Sequence, residues 1–117
     1  MEWYHKYLRA ATGKAFSLEQ INQIGDRVLN LIRAFWVREY GSRWSRVLDV
    51  PPMRWFKEPL TEGPLKGAVL DLEKYNAMLD IYYEKRGWSK NGVPKRETLE
   101  KLGLADAVSQ LESAPLG

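Results

Sequence analysis

Apolar residues recur at three- and four-residue steps along most of this chain, and each run closes at a glycine. Trp3, Tyr4, Tyr7, Leu8 and Ala11 mark an amphipathic helix over residues 3 to 11, with Gly13 as its stop. Ser17 and Gln20 then have the spacing of a capping box, and Phe16 is placed to staple onto Ile21. From Leu18 through Ile21, Ile24, Val28, Leu31, Ile32, Phe35 and Trp36 runs one apolar stripe, ended by Gly41 in the C-cap position after Tyr40. The pattern predicts one long helix over Leu18–Tyr40. Gly25 lies on its apolar side, where glycine costs about 1 kcal/mol relative to alanine, so an element packed closely against the backbone is expected there, most simply a partner helix.

Periodicity lapses over residues 41 to 69. Pro51, Pro52, Pro59 and Pro64, with Gly41, Gly63 and Gly67, forbid a continuous helix and discourage a central strand. Trp44, Val47, Leu48, Trp55, Phe56 and Leu60 give this extended crossover enough apolar surface to lie across another surface and cover it. Asp71 is the expected cap of a third helix carrying Leu72, Tyr75, Met78, Leu79, Ile81 and Tyr82 up to Gly87. Ser89-Lys90-Asn91-Gly92 reads as a turn. Pro94 reads as a first-turn proline of a short fourth helix, which Leu99 and Leu102 line and Gly103 and Leu104 close in a Schellman end. A last helix over about residues 105 to 113, with Val108 and Leu111 on one side, is expected to fray. The fold class is all-α: a small helical domain with one long helix, a proline-rich extended crossover and three to four shorter helices. Residues 1–104 read as one domain, and 105–117 as a short terminal helix and tail.

Composition narrows the chemistry. At 117 residues, 44% apolar and 28% charged, the chain suits one small packed domain. It has no cysteine, which excludes disulfides, thiolate metal sites, cysteine-held iron–sulfur clusters and a cysteine nucleophile within it. No apolar run approaches the roughly 18 residues of a membrane span, so a cytoplasmic protein without membrane association is expected.

The net charge of +3 is concentrated in the first 60 residues, which hold ten Lys or Arg against six Asp or Glu. Arg33, Arg38, Arg43, Arg46 and Arg54 face only Glu39 and Asp49 there. Such arginines line a phosphate-binding stripe or, more commonly, stack on aromatics and pair with carboxylates. A nucleic-acid reading, with Arg38, Arg43 and Arg46 beside Trp36, Tyr40 and Trp44, requires steep salt dependence. No catalytic constellation stands out. His5 is the only histidine, the serines have no other partner for a triad, and Asp71, Glu73, Asp80 and Glu84 alternate with Lys74, Lys85 and Arg86 as on a solvated helix face. Gly63-Pro64-Leu65-Lys66-Gly67 matches neither the Walker nor the dinucleotide spacing.

Three stretches in order supply what single motifs do not. Residues Ile24 to Gly41 resemble the long helix in the C-terminal domain of the aldehyde ferredoxin oxidoreductases, the tungsten or molybdenum pterin enzymes. Asp49-Val50-Pro51-Pro52-Met53-Arg54, Glu58-Pro59-Leu60 and Gly63 to Gly67 resemble that family's proline-rich crossover. Asp80 to Trp88, Asn91 to Pro94 and Leu99 to Leu104 resemble its closing segment. The resemblance covers about residues 3 to 104. Pro51 stands for the family's usual leucine, and Lys95 for its common Thr cap, a change that weakens a helix start by about 1 kcal/mol.

Members of the family are several times longer and hold tungstopterin or molybdopterin and a four-iron four-sulfur cluster. The resemblance therefore implies the structural C-terminal domain of a tungstopterin aldehyde:ferredoxin oxidoreductase, present as a fragment by truncation or gene split and not catalytic alone. The parent reaction takes an aldehyde to a carboxylic acid and passes electrons to ferredoxin. No catalytic, cofactor-binding or metal residue carries over, and the last cluster cysteine is expected just upstream of Met1. Partners implied are the missing N-terminal and middle domains, and ferredoxin for the whole enzyme; nucleic acid is not among them. Structural or interface roles are expected for Arg27, Arg38 and Arg54 in ion pairs, Asp49 in ordering the crossover and Trp88 in anchoring the third helix to the fourth. The alternative is a free-standing interaction module or split-gene subunit, with an uncovered apolar face near Trp3, Tyr4 and Tyr7 that drives self-association.

Overall fold

Five helices follow one another among the described residues, 2–111 of a computed structural model: α1 (Glu2–Thr12), α2 (Leu18–Tyr40), α3 (Leu72–Arg86), α4 (Arg96–Lys101) and α5 (Ala105–Leu111). Positions 112 and 113 of the expected terminal helix, and the tail after them, lie outside the described residues. The helix ends follow from local chemistry. The Ser17 hydroxyl accepts from the Gln20 N–H at 3.1 Å, and the Gln20 side-chain oxygen accepts from the Ser17 N–H at 2.8 Å, which fixes the start of α2. The Asp71 carboxylate accepts from the Lys74 N–H at 3.0 Å and starts α3. At the end of α4 the Leu104 N–H donates to the Leu99 carbonyl at 2.8 Å and Gly103 to Glu100 at 2.9 Å, a Schellman closure.

Two local expectations are corrected. Pro94 is not in the first turn of α4: it pairs with Trp88 in an antiparallel bridge, so the chain stays extended through Lys95 and the helix begins at Arg96. Lys95 occupies the cap position and gives no side-chain bond. The crossover is not extended throughout, because it contains 3-10 turns over Gly41–Arg43, Arg46–Asp49 and Met53–Phe56. Nor does it act mainly as a cover. Val47, Trp55 and Leu65 are each more than half exposed.

The buried core is small and in two parts. Ala34 and Val37 of α2 meet Val93, Leu99 of α4 and Val108 of α5, edged by Trp44, Leu104 and Ala107. Leu79 and Tyr83 of α3 meet Trp88, with Tyr75 against them. The terminal helix α5 is thus part of the core through Val108.

The largest correction concerns α2. Its apolar stripe is not what packs on this core: Ile24, Val28, Leu31, Ile32, Phe35 and Trp36 are between 44% and 51% exposed. The face turned inward carries Asn30, Ala34 and Val37, half a turn round the helix. Gly25 has open space where a Cβ would stand, with nothing within 4 Å, so the close neighbour expected there is absent from the described residues. The shape agrees. The radius of gyration is 18.2 Å, against about 13 Å for a compact chain of this length, and the molecule is a slab of 51 × 40 × 21 Å. Its accessible surface of 8915 Å² compares with about 6,600 Å² for a compact protein of this mass.

Urea unfolding followed by circular dichroism checks this division. Leu99→Ala, in the core, is expected to lower stability by about 3 kcal/mol. Leu31→Ala, on the outer stripe, is expected to change it by less than about 0.5 kcal/mol in the isolated chain.

Candidate functional site

The most densely bonded part of the molecule centres on Arg33. The helical turn that buries Asn30 and Val37 aims this arginine inward between them in sequence, toward the crossover. Its guanidinium is held between two indoles, 4.5 Å from the Trp44 ring centroid and 4.4 Å from that of Trp88. Nε donates to the Gly92 carbonyl at 2.7 Å, Nη1 to Asp49 Oδ1 at 2.8 Å and Nη2 to Asp49 Oδ2. Both partners are largely shielded, which makes this a bidentate ion pair away from bulk water.

Asp49 is shared. The Tyr83 hydroxyl donates to its Oδ2, and the Tyr75 hydroxyl donates to its backbone carbonyl at 2.8 Å. Gly92 is required by its neighbours: its φ is +73°, and a Cβ would stand 2.5 Å from Arg33 Nη2 and 2.7 Å from Tyr83 Cζ. Around this centre, the Trp44 indole donates to the Asn91 carbonyl at 3.0 Å, and the Asn91 side chain accepts from the Arg46 N–H at 2.9 Å. Arg46 also pairs with Asp80 and donates to the Asn76 carbonyl at 2.8 Å. Asn30, 1% exposed, accepts from the Trp88 indole at 2.8 Å and donates to the Asp26 carbonyl at 2.9 Å. Asp26 in turn pairs with Arg86 at 2.7 Å.

Electrostatics assign this junction a structural role. Burial pushes the Asp49 carboxyl up, but hydrogen bonds from Arg33 and Tyr83 and the charges of Arg33 and Arg46 outweigh it and hold the group below the usual carboxylate range. Tyr83 is driven well above its ordinary value, first by burial and then by the hydrogen bond to Asp49 and its charge. The phenol therefore stays protonated and the carboxylate ionised through neutral pH. Neither is poised to exchange a proton. Among the described residues no buried side-chain nitrogen or oxygen lacks a partner, so no orphaned donor or acceptor is aimed at a further ligand. An open cleft of about 700 Å³ between α2, α3 and α4 is lined by interleaved Glu19, Asp26, Glu84, Lys85 and Lys101, without a converging set. Among the described residues no three His, Cys, Asp or Glu gather as a metal site.

The residues singled out from the sequence fall unevenly on this geometry. Asp49 is at its centre. Trp88 is buried, sandwiches Arg33 and hydrogen-bonds to α2, while its bridge to Pro94 holds the lead into α4. Arg38 pairs with its neighbour Glu39 at 2.9 Å and Arg54 with Glu58 at 3.6 Å, both exposed and worth little. Arg27 is exposed and forms no ion pair among the described residues. Sequence reading missed Tyr83, Gly92 and Asn30. Only Asn30 carried a signal, as a polar residue opposite the apolar stripe, and that signal is shared by any solvent-facing position.

Comparison with known proteins follows the same segment. The family model described as aldehyde ferredoxin oxidoreductase, domains 2 and 3, matches residues 1–104. The tungsten-containing aldehyde ferredoxin oxidoreductase of Pyrococcus furiosus is 39% identical over 103 residues, which are 88% of this chain and 16% of that protein. Its namesake in Thermococcus kodakarensis is also 39% identical over 103 residues, with the same shares. The aliphatic sulfonate oxidoreductase, WOR-like subunit, of Pyrococcus furiosus is 36% identical over 106 residues, 88% of this chain and 17% of its own. The chain spans about a sixth of the length of these curated relatives.

The junction sets the pH dependence of stability. Asp49, depressed on folding, contributes in full above its ordinary 3.8, and that contribution is lost as pH falls below this toward the folded value. Tyr83, raised on folding, contributes in full below its ordinary 10.0 and loses that contribution as pH rises beyond it. Urea midpoints measured across pH are expected to show both limbs. Tyr83→Phe should remove the alkaline one. Asp49→Asn should remove the acid limb, leave the part of the alkaline limb that comes from the burial of Tyr83, and cost about 3 kcal/mol at pH 7, because Arg33 is left without its counter-ion. Gly92→Ala is expected to cost about 2 kcal/mol or more.

Proposed function

The chain belongs to the aldehyde ferredoxin oxidoreductase family, matched to its domains 2 and 3 over residues 1–104, and from this premise we propose that it is the structural C-terminal domain of such an enzyme, without catalysis of its own. The observation that carries the proposal is α2. One face packs on the core of this chain while an apolar stripe half a turn away is left in solvent. A helix built this way belongs between two packed layers, of which this chain supplies one.

The residues present do not fit the cofactors of the family. With no cysteine the chain supplies no thiolate to an iron–sulfur cluster, and among the described residues every buried side-chain nitrogen and oxygen already has a partner. Tungstopterin and a cluster would therefore be held by the parts of the parent enzyme outside this segment. Oxidation of an aldehyde to a carboxylic acid, with electrons passing to ferredoxin, is the activity proposed for that whole enzyme. The contribution of this chain is mechanical: the Arg33–Asp49 junction fixes the crossover against α2 and α3, and so presents a rigid wall to the remaining domains.

The test replaces the matching segment of the Pyrococcus furiosus relative with this chain. The chimera is expected to retain tungsten by elemental analysis and aldehyde-dependent dye reduction. The chain purified alone is expected to show neither. Stoichiometric tungsten with turnover in the isolated chain would refute the proposal.

A further inference from the structure

The outer face of α2 is specific enough to describe what covers it. Ile21, Ile24, Val28, Leu31 and Phe35 follow one another at gaps of three, four, three and four residues, with Gly25 and Ile32 beside them, all within an arc of about 120°. From Ile21 to Phe35 no charged residue falls inside that arc; the first is Glu39, in the last turn of α2. A seam with this spacing takes another helix lying nearly parallel or antiparallel, at a crossing angle of about 20°, and it takes apolar side chains.

Gly25 locates the closest approach. Glycine in the middle of a 23-residue helix weakens it, and nothing among the described residues demands one. Its φ is not positive, and a Cβ would meet no atom within 4 Å. The demand is therefore external. We propose that α2 is a seat for an apolar helix from the part of the parent enzyme outside this segment, with a large side chain of that helix resting on the bare backbone at Gly25. This rests on the functional reading above. The occupant is the remainder of the same protein rather than a second copy, because the relatives carry this segment in chains about six times as long. A helix in the same chain competes at an effective concentration of about millimolar, far above that of a separate molecule. Trp55, Leu60 and Leu65 of the crossover are exposed as well, apolar surface in addition to the α2 seam.

The seat makes a substitution at residue 25 change sign with context. In the isolated chain, Gly25→Ala and Gly25→Leu fill open space and favour the helix, so the thermal midpoint is expected to rise by about 4 °C. In the chimera described above, Gly25→Leu is expected to lower the midpoint by at least as much and to reduce the yield of assembled, tungsten-containing protein. Arg27→Ala, exposed and outside the arc, is expected to leave both contexts unchanged. A chimera that assembles and tolerates Gly25→Leu would overturn the seat while the functional reading stood. Failure of the unsubstituted chimera to assemble would overturn both. Sedimentation of the isolated chain closes the remaining route: a dimer dissolved by Gly25→Leu would make a second copy the occupant and overturn the choice made here.

Discussion

A single shielded ion pair organises this molecule. The crossover between α2 and α3 is tied to itself by 3-10 turns and by backbone bonds such as Gly67 N–H to the Leu60 carbonyl and Leu70 N–H to the Trp55 carbonyl, but its attachment to the helices falls to side chains. Arg33 and Asp49 do this by joining the middle of α2 to the end of the second turn, while Tyr75 and Tyr83 bring α3 to the same aspartate. Removing two charges from water is costly. The cost is offset because the carboxylate is bound bidentately and by a phenol, and the guanidinium also bonds to the Gly92 carbonyl between two indole faces. A pair completed to this degree joins the two halves of the core, Trp44 lying at the edge of one and Trp88 within the other.

What the sequence disclosed and what it withheld divide along range. The capping box at Ser17, the Asp71 cap, the left-handed Gly87 and the Schellman closure at Gly103 each involve residues within about one helical turn, and all were legible. The face of α2 was misread for a different reason. Periodicity reports that a stripe is apolar; it does not say which layer covers it, and here that layer is not among the described residues. Pro94 was misplaced because its bridge to Trp88 competes with the first-turn preference of proline.

The central junction was the least legible part. Arg33 meets Asp49 across 16 residues, Tyr83 meets Asp49 across 34, and Arg33 meets the Gly92 carbonyl across 59. No spacing rule spans such distances. Asp49 and Trp88 could be suspected from residue type and family resemblance, whereas Tyr83 looked like one more position on an aromatic helix. Gly92 looked like an ordinary turn glycine until the atoms beside it showed why no side chain fits.

The indole pair around Arg33 has an optical consequence. Two of the five tryptophans flank one guanidinium, while Trp3, Trp36 and Trp55 sit half or more in solvent. Intrinsic fluorescence therefore divides into a shielded population that reports on the ion pair and a hydrated one that reports on the outer faces. Covering those faces shifts only the second population toward the blue, so docking and unfolding leave different spectral signatures without any added label.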